Sequence, residues 1–188
     1  MADRVTDKKL KNRRYRSTET RILITLLMIK DSLSLERLIR MAKISRSTLS
    51  RHHKNLHEIA PDYRKYVLKK CQNITRSLLK NPNSELRTVY RRILVFMSAN
   101  RLIMEFILEY GEQSVFEDII YTIKPKILAS SKITDEEMFM IYTKEVAGLI
   151  EEWGKQGYDK ESIVSIINKI LSLTETAHIR LNSLKSFN

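Results

Sequence analysis

The 188-residue sequence predicts an all-α fold, and three observations carry that expectation. Only 4 Gly and 3 Pro occur, and the Asn-Gly and Asp-Gly pairs that close tight hairpins are absent. Apolar residues recur at helical spacing, as in Ile22, Leu23, Leu26, Leu27 and Ile29, rather than alternating. A Ser, Thr or Asp stands ahead of most of these segments, where its side chain can cap a helix.

Taken in order, Ser17 or Thr18 is set to cap a first helix, with Glu19 in place to favour its dipole and Asp31-Ser32 to end it. Ser34 caps a second helix to about Ala42, its inward face being Leu35, Leu38, Ile39 and Ala42. Three residues later Ser45 caps a third, very short helix through His52 or His53, with Leu49 inward. Two short helices so tightly joined must cross steeply, the geometry of a helix-turn-helix. Pro61 belongs at a first helical turn, so a fourth helix is placed at about 61–79 with residues 55–59 as a lead-in.

Asn81-Pro82-Asn83 then punctuates the chain. Ser84 is expected to cap a helix to about residue 98, followed by one over 100–110 that stops at Gly111. Another spans about 114–128, bent at Pro125. Thr134-Asp135-Glu136-Glu137 opens a long helix through Trp153 to Gly157. Asp159 caps a last one, with Ile163, Ile166, Ile167, Ile170 and Leu171 on one stripe.

Charge divides the chain unevenly. Residues 1–80 carry 21 Lys and Arg against 7 Asp and Glu, a net of +14, whereas residues 81–188 carry 13 against 15, a net of −2. An excess of positive charge beside a candidate recognition helix is the footprint of a DNA-binding head on a neutral body. The expected organisation is a basic arm over 1–16, a helix-turn-helix domain over 17–60 joined through the helix at 61–79, and a larger helical bundle over 61–188 for ligand binding and dimerisation. The arm, with Lys8, Lys9, Lys11, Arg13, Arg14 and Arg16, suits DNA phosphate or a minor groove.

In the third helix Arg46, Ser47, Thr48 and Ser50 fall on the exposed side near the start, within reach of base edges. Arg46 can make the bidentate contact to guanine, and Thr48 can offer a hydroxyl or a methyl. Arg51, His52 and Lys54 would lie by phosphates, positioning rather than specifying. Ser45 at the cap, Arg14, Arg16 and Thr18 on the first helix and Ser34 at the second cap complete the candidate DNA-binding set.

Other chemistries find little support. A single cysteine, Cys71, excludes an intramolecular disulfide and reads as a small apolar residue on a helix face. No stretch of about 18 apolar residues occurs, so a cytoplasmic protein without a membrane span is expected. Of the four histidines, His52 and His53 are adjacent and cannot share one helical face. His53 and His57 have i,i+4 spacing without a carboxylate or cysteine set beside them, so no metal is expected. No Gly-rich phosphate loop, nucleophile elbow or acid–base set appears, and neither an enzyme nor a cofactor is expected. Aromatic and Met residues of the second part, among them Tyr90, Phe96, Tyr121, Phe139, Met140, Tyr142 and Trp153, read first as core.

The run Leu35-Glu-Arg-Leu-Ile-Arg-Met-Ala-Lys-Ile-Ser-Arg-Ser-Thr-Leu-Ser-Arg-His-His-Lys54 resembles the DNA-binding domain of TetR-type bacterial transcriptional regulators, whose usual pattern is Ala-Gly-Val-Ser-x-x-Thr-Leu-Tyr-x-His-Phe. More loosely, Asn100-Arg101-Leu102-Ile103 and Glu152-Trp153-Gly154-Lys155-Gln156-Gly157 are typical of the family's carboxy-terminal domain. The resemblance implies that Thr48, His52 and Lys54 contact the DNA backbone. It also implies a homodimer built through helices at about 134–157 and 159–180, a palindromic operator on double-stranded DNA, and a repressor released by a small apolar effector held in the body. Three positions depart from the pattern: Lys43 replaces the turn Gly, Ser50 the Tyr used against phosphate, and His53 the Phe that packs below it. A left-handed backbone at Lys43 would carry strain of about 1 kcal/mol. Ser50 and His53 motivate an alternative, a TetR-like interaction protein that acts through a protein partner with little specific DNA binding.

Overall fold

A computed structural model describes residues 13–29, 34–53, 55–81, 84–110, 115–131, 133 and 135–185, with residues 13, 56 and 177–185 described by backbone alone. All regular structure among them is helical. The chain forms two compact units, residues 1–62 and 63–188. Most of the expected arm, residues 1–12, lies outside the described residues, as do the Asp31-Ser32 and Gly111 stops and Thr134.

The first unit contains α1 (Arg13–Ile29), α2 (Leu35–Ala42), α3 (Arg46–His52), a 3₁₀ turn (Leu56–Glu58) and the start of α4 (Ile59–Leu79). α1 begins at least four residues before the expected cap, so neither Ser17 nor Thr18 caps it and Glu19 lies inside the helix. Thr18 instead donates its hydroxyl to the Arg14 carbonyl at 3.2 Å. The core here is Ile22, Leu23, Leu26 and Ile29 of α1, Leu38 and Ala42 of α2, Leu49 of α3, and Ile59. Pro61 falls in the first turn of α4, where its missing N–H costs nothing.

The second unit contains the rest of α4, α5 (Leu86–Ala99), α6 (Arg101–Tyr110), α7 (Val115–Thr122), α8 (Lys124–Ser130), α9 (Glu136–Lys155) and α10 (Ile163–Lys185). α9 packs on α10 and α7, and α10 also on α5. Three boundaries differ from expectation. Ser84 does not cap α5: its hydroxyl donates to the Leu78 carbonyl at 2.8 Å, and Glu85 holds the cap position. Pro125 separates two helices rather than bending one, because its lack of an N–H suits the first turn of α8. Asp159 accepts from the Ser162 amide at 2.9 Å in the turn ahead of α10, which starts four residues later than expected.

α9 stops where Gly157 (φ 84°) and Tyr158 (φ 55°) turn left-handed and fold back. Trp153 Nε1 then donates to the Asp159 carbonyl at 2.9 Å, and the Tyr158 ring meets the indole edge-on at 5.1 Å. Tyr90 and Tyr142 share a fully buried hydroxyl–hydroxyl bond of 2.7 Å, and burial, with Tyr142 adding to it, holds the Tyr90 phenol well above its ordinary range. Cys71 is fully buried, and burial pushes its thiol up to about 12. Tyr121 and Met140 are exposed instead of belonging to the core, and the α10 stripe continues through Leu173 with Leu171 only half-buried. No described helix is long and apolar enough to cross a membrane.

Candidate nucleic-acid interface

α2 and α3 are short, and each is started by a serine. Ser34, extended at φ −113° and ψ 146°, accepts from the Arg37 amide at 3.2 Å. Ser45 accepts from the Thr48 amide at 3.0 Å and lies 2.9 Å from the Ser47 and 2.8 Å from the Thr48 hydroxyl. Between the helices Lys43 takes the left-handed conformation (φ 50°, ψ 51°), its amide donating to Arg40 and Ile39 carbonyls. Arg21 of α1 reaches the Lys43 carbonyl at 3.3 Å and ties this turn to the first helix. The strain at Lys43 is therefore held by neighbours on both sides.

α3 turns Leu49 into the core and leaves Arg46, Ser47, Ser50 and Arg51 exposed, with Thr48 half-buried. Ser50 donates to the Arg46 carbonyl at 3.1 Å, so its hydroxyl is engaged along its own helix. Arg51 folds back likewise, its Nε donating to the Ser47 carbonyl at 3.2 Å and a terminal nitrogen to the Thr48 hydroxyl at 3.3 Å. Arg14, Tyr15 and Thr18 of α1 and Thr48, Ser50, Arg51 and His52 of α3 line one groove of about 600 Å³. Arg16 is exposed on α1 but outside this lining, and Ser34 is likewise apart from it. Lys54 lies outside the described residues.

Two expected contacts need correction. Thr18 is buried in the α1 face, so it borders the groove without presenting a free hydroxyl. His52 does not point outward to a phosphate: its imidazole is 7% exposed, with Nδ1 2.5 Å from Glu19 Oε1. Tyr15 stacks on that ring at 3.9 Å, 16° from parallel.

Three residues that the sequence reading did not place in the site organise it: Tyr15, Glu19 and His53. His53 Nε2 lies 3.2 Å from Glu19 Oε2, so adjacent histidines grip the two oxygens of one carboxylate. Adjacent residues within a helix could not do this. α3 ends at His52, and His53 is extended (φ −136°, ψ 140°), which swings its ring to the same side. His53 thus makes a polar contact to a partner 34 residues earlier. The Tyr15 phenol, bonded to Glu19, is held above its ordinary range first by burial and then by that carboxylate. A usable signal existed: Glu19 interrupts the apolar face that runs through Ile22, Leu26 and Ile29.

No family model, no curated protein and no solved structure matches this chain. Among the described residues no group of three or more His, Cys, Asp or Glu is arranged to hold a metal ion.

Proposed function

We propose that the protein is a homodimeric, sequence-specific DNA-binding transcriptional regulator of TetR type, acting in the cytoplasm as a repressor that a small apolar effector releases from a palindromic operator. One observation carries the reading. A serine-capped seven-residue helix exposes Arg46, Ser47 and Ser50 while burying Leu49, in the half of the chain that holds the positive charge. A side chain such as Arg46 on that face can read a guanine edge, while Arg14 and Arg51 in the adjoining groove suit phosphates. Dimerisation falls to α9 and α10, whose outer faces keep Met140 and Val164 exposed after their main stripes are buried within the chain. Effector binding would shift the balance between DNA-competent and incompetent arrangements of the dimer.

Electrophoretic shifts with the protein's own promoter region against random duplex test this reading. The expected result is a clear preference for the promoter. Arg46→Ala should cost about 1–3 kcal/mol of discrimination at one base position, whereas Arg51→Ala should weaken all duplexes alike and lower the salt slope. Equal binding to every duplex, together with a stoichiometric protein partner in a pull-down, would replace DNA regulation with the interaction-protein reading.

A further inference from the structure

Glu19 is 5% exposed, in the second turn of α1. A buried carboxylate persists only where donors replace its water. Here the donors are the Tyr15 hydroxyl, His52 Nδ1 at 2.5 Å and His53 Nε2 at 3.2 Å. One comes from the carboxylate's own helix and two from the end of α3. The apolar anchor of α3 is slight by comparison: of its seven residues only Leu49 is buried. Apolar contact resists separation but says little about rotation, because it has no direction. Two hydrogen bonds to separate oxygens of one carboxylate do have direction, and they define a plane.

We infer that Glu19 is the positioning residue of the recognition helix: through His52 and His53 it sets the seating of α3 on α1, and so decides that Arg46, Ser47 and Ser50 face outward. This inference rests on the DNA-binding reading for its consequence, though not for its geometry. Glu19 touches no base or phosphate itself. It acts by holding the last turn of α3, opposite in sequence from the side chains that read.

The groups around the cluster come from three helices. From α1 they are Tyr15, stacked on His52, and Arg14 in the groove beside it. From α3 Arg51 lines the same groove, and from α4 Asp62 Oδ2 stands 3.8 Å from His53 Nδ1. Two imidazoles therefore sit between a buried carboxylate and the reading face.

The experiment uses the full chain and the substitution Glu19→Gln, which keeps size but leaves one acceptor oxygen where there were two. Proton NMR of the four histidines without DNA reads the grip directly. Two of the four C2–H signals, those of His52 and His53, should change position in Glu19→Gln. Unmoved signals would overturn the inference whatever the DNA result. Shift assays then compare promoter with random duplex. The expected outcome is a loss of about tenfold or more in discrimination, with random-duplex binding retained, because phosphate contacts specify nothing. Equal loss on both duplexes would mark a merely structural role and overturn the inference. Should Glu19→Gln fold poorly, His53→Gln alone, which leaves the carboxylate in place, should lower discrimination in the same direction with random-duplex binding retained, and unchanged discrimination there would overturn the inference. Wild-type protein without any DNA preference would remove the regulator reading alone, since the histidine signals still decide whether Glu19 seats α3.

Discussion

The two units bury different chemistry. Among the described residues of the first, Thr18, Glu19, Thr25 and His53 are buried beside a short roster of aliphatic side chains. Among the described residues of the second, the buried polar ones are three threonines, Thr75, Thr143 and Thr174, beside Trp153, Tyr90, Tyr142, Phe116 and Phe139. A larger core can hold its helices by apolar area, which is strong in sum but indifferent to direction. The smaller unit instead buries, against the end of a seven-residue helix, a carboxylate and its donors, whose contacts have direction. The difference separates stability from orientation as demands on a sequence.

That contrast can be broken most directly at Leu49. Leu49→Ala removes the one buried apolar anchor of α3 and should destabilise the first unit by about 2–5 kcal/mol. Thermal melts should show an early transition in the variant, and promoter binding should fall while the second unit still melts late. Unaltered promoter binding would mean that the polar grip alone holds α3.

A smaller effect is expected in the second unit. A Cβ added at Gly154 would stand 2.7 Å from the Leu108 side chain and from the Tyr158 hydroxyl. Gly154→Ala should therefore cost about 1–3 kcal/mol through overpacking, read as a lower melting midpoint. Tyr158 cannot yield easily, since its own backbone is left-handed and its ring is packed on Trp153. An unchanged midpoint would show that this corner is looser than its distances indicate.

The smallest effect sharpens the comparison within the first unit. Lys43→Gly relieves a left-handed residue and should stabilise by at most about 1 kcal/mol. Denaturant melts would register it as a slightly higher midpoint, with DNA discrimination unchanged because Ser45 still caps α3. A destabilised Lys43→Gly would show that the lysine side chain contributes something beyond its backbone angle.

Much of the first unit was legible from local rules. Ser34 and Ser45 as caps and Leu49 as the inward residue all depend on residues within a few positions of each other. Capping fails as a guide where a tertiary partner competes: Ser84 looked like a cap, but the Leu78 carbonyl takes its hydroxyl. Thr18 and Glu19 misled for a related reason. They look like a helix start, yet α1 already runs from Arg13, so the same residues lie on its buried face.

What the chain's sequence determined alone was the helical class, the two short capped helices and the side of α3 left open, since periodicity and caps act over three or four residues. Only the tertiary structure decided that His52 and His53 turn inward onto Glu19. Their partner lies 33 and 34 residues away, and the contact requires α3 to end at His52 so that His53 becomes extended. No pattern of neighbouring residues encodes that meeting: it exists once α1 and α3 are packed, when a carboxylate stripped of water takes the nearest donors available.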